Sequence, residues 1–238
     1  MSRAPIIEIS GVSKSFKHVQ ALNDVSHQMH AGSVSGFVGA NGSGKSTFVS
    51  VILGVQRPDH GAVRLAGQDI TNRPLKHRSR RGISVAFQTP RLFESLTVDE
   101  NLAFALRMKR CDSSILAGEG QRLLDTFKMT PHRHKLAGSL SGGQRKLVEL
   151  IRAMIVEPQV LLVDEPEAGV NVSLRGLIAG ELKRLAESGC AVGVVSHEIP
   201  WLLEIADSIN LFRVGEIAWS GPPAEIGRDM TLLRGLVS

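Results

Sequence analysis

The stretch Gly39-Ala40-Asn41-Gly42-Ser43-Gly44-Lys45-Ser46 decides how the rest of this chain is interpreted. Residues 33–38 before it predict a strand, and Lys45–Leu53 after it predicts a helix that ends at Gly54. In such a strand–loop–helix unit, glycines let backbone N–H groups approach an anion closely, and the helix N-terminus adds the positive end of its dipole. The pattern G-x-x-x-x-G-K-[ST] in this setting therefore predicts a loop that binds nucleotide phosphates.

The residues of this loop have distinct expected roles. Lys45 can reach the β- and γ-phosphates, the hydroxyl of Ser46 can bind Mg²⁺, and Thr47 can hold another phosphate. The alternative is a glycine-rich turn with a stray lysine, which the flanking strand and helix disfavour. The motif by itself indicates an NTPase with a phosphate-binding loop and no more. The other expected nucleotide contacts in the loop are Gly39, Asn41, Gly42, Ser43 and Gly44.

Two acidic residues end a second apolar strand, predicted at residues 160–163. Asp164 is placed to hold Mg²⁺, directly or through water, and Glu165 is placed to polarise an attacking water molecule. The alternative is a pair of exposed carboxylates at a strand end. A phosphate-binding loop in the same chain favours the catalytic interpretation.

Length and composition limit the class of protein. The chain has 238 residues, enough for one large α/β domain or a core with a subdomain. Its apolar runs are strand-length, well short of the roughly 18 residues of a membrane span, and residues 1–10 lack the apolar segment of a signal peptide. We therefore expect a cytoplasmic protein. Cys111 and Cys190 fit a reducing compartment and form no metal-type cluster.

The charge balance is basic, with 28 Lys and Arg against 23 Asp and Glu. That balance is compatible with nucleic acid, anionic lipid or phosphate partners. The densest cluster is KHRSRR at residues 76–81, which we interpret as a solvated loop. A contact with a membrane surface or with nucleic acid is the alternative.

Short strand-like runs alternate with helical stretches, and several runs are apolar throughout, as strands buried on both faces are. This pattern predicts an α/β fold with a mixed sheet flanked by helices. The predicted strands are residues 6–10, 33–38, 62–65, 83–87, 160–163, 191–195, 209–213 and 217–220.

Residues 89–157 differ, because they carry helix signals and no convincing strand. Capping-box spacings begin at Thr97 and Ser141. We interpret this stretch as a helical insertion, which leaves residues 1–88 and 158–238 as the α/β core. The predicted helices in the insertion are residues 101–108, 121–127 and 145–156.

The stretch Leu140-Ser141-Gly142-Gly143-Gln144 is not explained by the phosphate-binding loop. A serine cap followed by two glycines at a helix start creates a second site of free N–H groups with a positive dipole. A plain N-cap with a flexible entry is the alternative.

With this motif the chain resembles the ATP-binding cassette family, the motor subunits of ABC transporters, over almost its whole length. Phe16 stands where such proteins stack an aromatic ring on adenine, and Gln88 resembles the Q-loop glutamine. His197 resembles the switch histidine, and Glu165 matches the catalytic glutamate. Taken alone, Phe16 is more often a core residue, Gln88 a solvated loop residue and His197 a structural residue. Their order and spacing against the three motifs carry the resemblance.

The resemblance implies a fold, a cofactor set and a dimer. The fold is an α/β, P-loop NTPase fold with a mixed-sheet core, an antiparallel β subdomain and an inserted helical subdomain, in one domain over residues 1–238. The cofactors are ATP and Mg²⁺, and two copies pair head to tail. ATP on residues 39–47 of one copy is then capped by the other copy's Ser141, Gly142, Gly143 and Gln144.

The resemblance also implies individual roles. Glu165, His197 and Gln88 would be the catalytic residues, with His197 contacting the γ-phosphate. Ser46, Gln88 and Asp164 would hold Mg²⁺. Closure on ATP and opening after hydrolysis would drive membrane subunits between inward- and outward-facing states.

Two further stretches narrow the resemblance. RLFESLTVDENLAFAL (residues 91–106) and DEPEAGVN (residues 164–171) resemble uptake ATPases for branched-chain amino acids and their urea and amide relatives. Asn171 stands where many cassettes have Asp, and Glu167 occupies a place that is usually small or hydroxylated.

The implied partners are transmembrane permease subunits, a second ATP-binding subunit, identical or different, and indirectly a solute-binding protein. No nucleic acid is expected, and the chain would lie peripherally on the inner face of the cell membrane. Residues 88–104 would help form a groove that receives a short helix of the permease. The alternatives are an exporter ATPase, a cassette ATPase that acts on DNA or ribosomes, and a cassette that binds without hydrolysis.

Overall fold

The computed structural model describes residues 5–109, 112 and 114–226, so Cys111 lies outside the described part. Two sheets are described, one of six strands in the order β10-β9-β3-β8-β7-β6 and one of four in the order β2-β1-β4-β5. The strands are β1 (Pro5–Phe16), β2 (Val19–His30), β3 (Ser33–Val38), β4 (His60–Leu65), β5 (Gln68–Asp69), β6 (Ile83–Ala86), β7 (Val160–Asp164), β8 (Ala191–Val195), β9 (Ser208–Arg213) and β10 (Glu216–Gly221).

Helices cover the large sheet and fill the stretch between β6 and β7. None of the helices in the described ranges combines the length and apolar character that a bilayer crossing requires. The helices are α1 (Lys45–Leu53), α2 (Leu75–Arg80), α3 (Val98–Lys109), α4 (Gln121–Thr126), α5 (Gly142–Met154), α6 (Val172–Glu187), α7 (Ile199–Ile205) and α8 (Pro223–Ile226), with a π-helical turn at Leu116–Gly120 and 3₁₀ turns at Thr130–His132 and Ala137–Ser139.

The large sheet is mixed, as expected. β3 pairs in parallel with β8 and β9, β8 pairs in parallel with β7, and β7 with β6. β10 is antiparallel at one edge. The loops that follow β3, β6, β7 and β8 therefore leave the same edge of the sheet, where ligands bind in open α/β folds.

Successive residues of the central strands point to opposite faces of this sheet, so each strand contributes to two hydrophobic clusters. Leu161 and Val194 belong to the cluster that includes the helices of residues 98–156. Leu162 and Val195 belong to the cluster shared with α1 and the small sheet. This double burial explains why β7 and β8 are apolar throughout.

The small sheet is antiparallel, as expected, but its strand β2 was not predicted. Its buried residues Leu22, Val25 and Met29 recur at intervals of three and four, which is not the alternation of a regular strand. The cause is irregular pairing with β1, where the register shifts on both sides of the Val12–Val25 pair. Asp24 adopts a positive φ of 48° at this irregularity, as in a β-bulge.

The insertion is helical as predicted, and both expected capping boxes are present. The Ser141 hydroxyl accepts a hydrogen bond from Gln144 N at 3.3 Å, and Ser141 N donates to the Gln144 side chain at 3.0 Å. Thr97 and Glu100 make the equivalent pair of bonds at the start of α3. Because these caps begin the helices, α3 and α5 start about three residues before the predicted boundaries.

The prediction of a solvated loop at residues 76–81 was wrong. Most of this basic cluster forms α2, and Arg78 is fully buried. Its guanidinium donates to the carbonyl oxygens of Val51 and Ile52, both at 2.7 Å, and to those of Thr71 and Arg73, both at 2.8 Å. A cation therefore contacts two carbonyls in the last turn of α1, where the helix dipole favours positive charge.

Candidate nucleotide-binding site

The phosphate-binding loop joins β3 to α1 and needs glycine at two positions. Gly39 and Gly44 have φ angles of 147° and 111°. A Cβ atom on Gly39 would lie 2.3 Å from the Phe212 carbonyl oxygen, and one on Gly44 would lie 2.6 Å from that of Ala21. The loop can therefore pass this close to β9 and β2 only without side chains at those positions.

Lys45 crosses beneath this loop and is 5% exposed. Its Nζ atom donates to the carbonyl oxygens of Gly39 at 2.6 Å and Ala40 at 2.9 Å. Burial lowers the pKa of the Lys45 ammonium, and the negative charges of Asp164 and Glu165 oppose that shift. The loop thus holds a cation beside the acidic ends of the neighbouring strands.

A cleft of about 350 Å³ lies over the loop, at the edge of the sheet where the parallel strands end. It brings together five segments that are far apart in the sequence: the start of β2, the loop itself, the glutamine after β6, the acids at the end of β7 and the residues at the end of β8. Its lining residues are Val19, Ala21, Asn41, Gly42, Ser43, Gly44, Lys45, Ser46, Thr47, Gln88, Asp164, Glu165, Val195 and His197.

The three predicted catalytic residues are in direct contact. The Oε2 atom of Glu165 accepts a hydrogen bond from Gln88 Nε2 at 2.7 Å. Its Oε1 atom lies 2.9 Å from His197 Nε2. Glu165 itself has a positive φ of 48°, and its N–H donates to the Val195 carbonyl at 2.8 Å. Strand, loop and backbone conformation together aim this carboxylate into the cleft.

Asp164 is the residue best suited to a metal. Burial is the main cause that raises the pKa of its carboxyl, the charge of Glu165 adds to the shift, and Lys146 and Lys45 oppose it. No group of three or more His, Cys, Asp or Glu residues in the described part of the chain could hold a metal ion by itself. The carboxylate of Asp164 and the hydroxyl of Ser46 fit Mg²⁺, which prefers a few oxygen ligands completed by phosphate and water.

The start of α5 is the second predicted anion site, and its residues are not among those that line the cleft. Ser141 and Gly142 are exposed, and a Cβ atom added to Gly142 would meet nothing within 4 Å. Gly143 is different, because a Cβ there would lie 2.8 Å from the Gly169 carbonyl oxygen. The Gln144 side chain lies 3.0 Å from His132 Nε2. The site is open to solvent but separate from the loop of its own chain.

A family model described as ABC transporter matches residues 22–168, which is more than half of the chain. The chain belongs to the ABC transporter family. By fold and family it is an ATP-binding cassette.

Curated relatives agree with this assignment. The cassette is 36% identical to the sulfate/thiosulfate import ATP-binding protein CysA of Synechococcus elongatus, over 92% of this chain and 63% of the relative. It is 35% identical to the spermidine/putrescine import ATP-binding protein PotA of Protochlamydia amoebophila, over 90% of this chain and 57% of the relative. It thus spans about three fifths of the length of these two relatives. These names concern inorganic anions and polyamines, so they do not support the narrower resemblance to amino-acid uptake.

Solved structures confirm the fold. The cassette superposes with a TM-score of 0.85 on the ADP conformation of an ATP-binding cassette of an ABC transporter, at 28% identity over 99% of both chains. A dimeric cassette in a post-hydrolysis state, bound to ADP and Pi, gives a TM-score of 0.83 at 26% identity, over 91% of this chain and 98% of that one.

Phe16 lies outside the set of residues that line the cleft of the cassette. It ends β1, pairs with Val19 of the lining set and is 41% exposed. The Lys14 ammonium lies 5.5 Å from its ring centroid. Its role as the adenine platform stays a prediction.

Sequence reasoning missed the buried polar groups beneath the cleft. Glu167 and Ser196 are buried and hydrogen-bonded to each other. Lys146 of α5 is 8% exposed, and its charge lowers the pKa of the Glu167 carboxyl. Only Glu167 carried a signal, as a departure from the family pattern. Ser196 and Lys146 come from other segments, so only the fold shows that they belong together.

Proposed function

We propose that this cassette binds and hydrolyses ATP at the interface of a head-to-tail dimer and thereby drives solute transport through separate membrane subunits. The observation that carries this proposal is the position of Glu165, held between Gln88 and His197 in a cleft that opens on the phosphate-binding loop. A binding-only cassette would not need a carboxylate aimed in this way.

The residues of the cleft have distinct roles in this proposal. Loop N–H groups and Lys45 bind the phosphates, and Ser46, Asp164 and Gln88 are the candidate ligands of Mg²⁺, which would neutralise phosphate charge. Glu165 accepts the proton of the attacking water, because each carboxylate oxygen keeps a free lone pair beside its present hydrogen bond. His197 donates to the γ-phosphate as negative charge develops there.

A second copy completes the site in this proposal. The start of α5 offers free N–H groups and a positive dipole, but it is separate from the cleft of its own chain. Ser141 to Gln144 of the second copy would cap the phosphates bound by the first. The similar cassette that is dimeric in a post-hydrolysis state bound to ADP and Pi supports a dimer.

The permease would dock on a groove beside α3. This groove has a volume of about 340 Å³ and an apolar lining that includes Phe87, Phe93, Phe104 and Met108. The rings of Phe93 and Phe104 meet edge to face at 4.7 Å, and the latter three side chains are exposed. Exposed aromatic and methionine side chains in a groove suit the apolar face of a short helix. We infer that residues 89–157 form the subdomain that moves with this partner.

We propose a broad class of transported solute and a narrower one within it. A small polar solute taken up with the help of a solute-binding protein is consistent with the import functions in the names of the relatives. Branched-chain amino acids are the narrower proposal, supported by the motifs at residues 91–106 and 164–171. In either case the cassette would lie peripherally on the inner face of the cell membrane.

Purification of the tagged chain from its native cells in mild detergent tests this proposal. Mass spectrometry should then identify multi-span membrane proteins, a second cassette subunit where the dimer is mixed, and a solute-binding protein that indicates the cargo. Recovery with only nucleic acid or ribosomal proteins would contradict the transport role and favour a cassette that works without a membrane.

A further inference from the structure

Glu167 is a buried carboxylate to which the proposed chemistry assigns no role. It follows the acids Asp164 and Glu165 on the same turn and is 2% exposed. Its Oε1 atom accepts a hydrogen bond from the Ser196 hydroxyl, whereas its Oε2 atom has no hydrogen-bond partner among the described residues. A buried carboxylate with a hydrogen bond to only one of its oxygens costs free energy, which indicates a role for Glu167 in the neighbouring site.

A buried cation, Lys146, offsets some of that cost. Burial raises the pKa of the Glu167 carboxyl, while the Ser196 hydrogen bond and the positive charge of Lys146 lower it. Burial in turn lowers the pKa of Lys146, and Glu167 is the carboxylate that opposes this shift most. Opposite charges from α5 and from the turn after β7 therefore stabilise each other beneath the cleft.

The Ser196 hydroxyl makes two hydrogen bonds that enclose His197. It donates to Glu167, and it accepts from the N–H of Glu198 at 3.0 Å. The turn is closed further by a bond from Ile199 N to the His197 carbonyl oxygen at 3.2 Å. The backbone on both sides of His197 is thus attached, through one hydroxyl, to the carboxylate of Glu167.

Glu167 itself is not among the residues that line the cleft, so any effect on hydrolysis has to pass through another group. We propose that Glu167 is a positioning residue that holds His197 against Glu165 through the hydroxyl of Ser196. The anionic acceptor orients the hydroxyl, the hydroxyl fixes the turn, and the turn sets the contact of 2.9 Å between His197 and Glu165. This inference rests on the proposed ATPase function.

Steady-state ATPase kinetics of the full chain test whether Glu167 positions His197 through Ser196. Glu167→Ala should lower kcat about tenfold and leave KM for ATP within about twofold, because phosphate binding by the loop is unaffected. Glu167→Gln keeps an acceptor for Ser196 and should restore kcat to within about threefold of the original chain. Ser196→Ala should reproduce the loss, and it provides the same test where Glu167→Ala folds poorly.

A double-mutant cycle with His197 decides whether Glu167 acts through that residue. In a His197→Ala background, Glu167→Ala should change kcat by less than about twofold, because the group that it positions is gone. A full additional loss of about tenfold in that background would overturn the proposal. An unchanged kcat for the single variant Glu167→Ala would overturn it as well.

Amide hydrogen exchange of the nucleotide-free chain tests the positioning role of Glu167 without depending on ATP hydrolysis. In Glu167→Ala and Ser196→Ala, a peptide covering residues 195–199 should exchange at least about tenfold faster, since the Glu198 N–H loses a fixed acceptor. A peptide within β6 serves as the control and should not change. If the original chain hydrolyses no ATP, the proposed function fails, and exchange alone then decides: unchanged rates at residues 195–199 would overturn the inference.

Discussion

The Nε2 atom of His197 lies 2.9 Å from the Oε1 atom of Glu165, although the two residues follow different strands of the large sheet. β7 and β8 are neighbours in parallel, with Asp164 opposite Val195, so the residues after each strand meet at one edge. The contact therefore follows from the register of the sheet. It places the proposed donor to the γ-phosphate beside the proposed acceptor for the proton of water.

His197→Ala should lower kcat by about a hundredfold with little change in KM for ATP, because a donor aimed at developing charge acts mainly in the transition state. Steady-state kinetics at saturating Mg²⁺ measure both constants. His60→Ala, at an exposed position on β4, is the matched control and should behave like the original chain. A rise in KM with kcat unchanged would show that His197 only helps to bind ATP.

Ser141→Arg should abolish hydrolysis while a single chain still binds ATP, because the start of α5 is separate from the cleft of its own chain. Fluorescence titration with a labelled nucleotide measures the binding, and phosphate release measures the turnover. Ser188→Arg adds the same charge at the amino-terminal edge of the sheet and should hydrolyse normally. Loss of nucleotide binding by Ser141→Arg would mean that the two anion sites act within one chain.

Arg78→Met should destabilise the fold by about 3 kcal/mol or more, because it removes a buried donor to four carbonyl oxygens, including that of Ile52 at the end of α1. Chemical denaturation followed by circular dichroism measures the free energy of unfolding. Lys76→Met on the exposed face of the same helix is the control, with an expected change within about 0.5 kcal/mol. Equal effects of the two substitutions would contradict the structural role of Arg78.

His27 makes the fold sensitive to acid. Its ring packs on Phe37 with centroids 5.3 Å apart, and burial lowers its pKa from 6.5 to about 4. Between these values the unfolded chain binds a proton that the folded chain does not, so stability falls as the pH falls. The loss begins near pH 6.5 and is complete near pH 4. It amounts to as much as about 3 kcal/mol.

The substitution His27→Phe removes the side chain that binds this proton in the unfolded chain. The difference in unfolding free energy between the original chain and His27→Phe should therefore change by that amount between pH 7 and pH 4, as measured by urea denaturation at each pH. His60→Phe, at an exposed position on β4, controls for the general effect of replacing a histidine by phenylalanine. A constant difference for His27→Phe would contradict the account of its burial.

The parts of the fold that sequence predicted are those with local causes. Glycine and lysine spacing identified the loop at Gly39–Ser46, and serine with glutamine identified the start of α5, because each pattern satisfies backbone groups within a few residues. β2 was missed because a bulge replaces its alternation with irregular spacing. Arg78 was misjudged because all four of its acceptors are backbone carbonyls, which leave no mark in the sequence.

In the candidate site, too, features with local causes could be predicted from the sequence and contacts between distant residues could not. The motif residues could be assigned one by one, but their contacts needed the order β3-β8-β7 of the sheet. Glu167 and Ser196 are 29 positions apart and meet only because the turns after β7 and β8 are adjacent. Such non-local pairs between ordinary residue types are invisible to pattern reasoning on one sequence.

In the proposed function, two copies of the chain enclose ATP and Glu165 is needed to hydrolyse it. Sedimentation velocity of Glu165→Gln with ATP and Mg²⁺ tests this most directly, because the amide keeps the shape of the site but cannot accept the proton of water. We predict a species of about twice the 25.7 kDa chain mass that forms with ATP, is absent with ADP, and turns over at least a hundredfold more slowly than the original chain. A monomer that binds ATP and hydrolyses it at the original rate would contradict both the dimeric site and the role of Glu165.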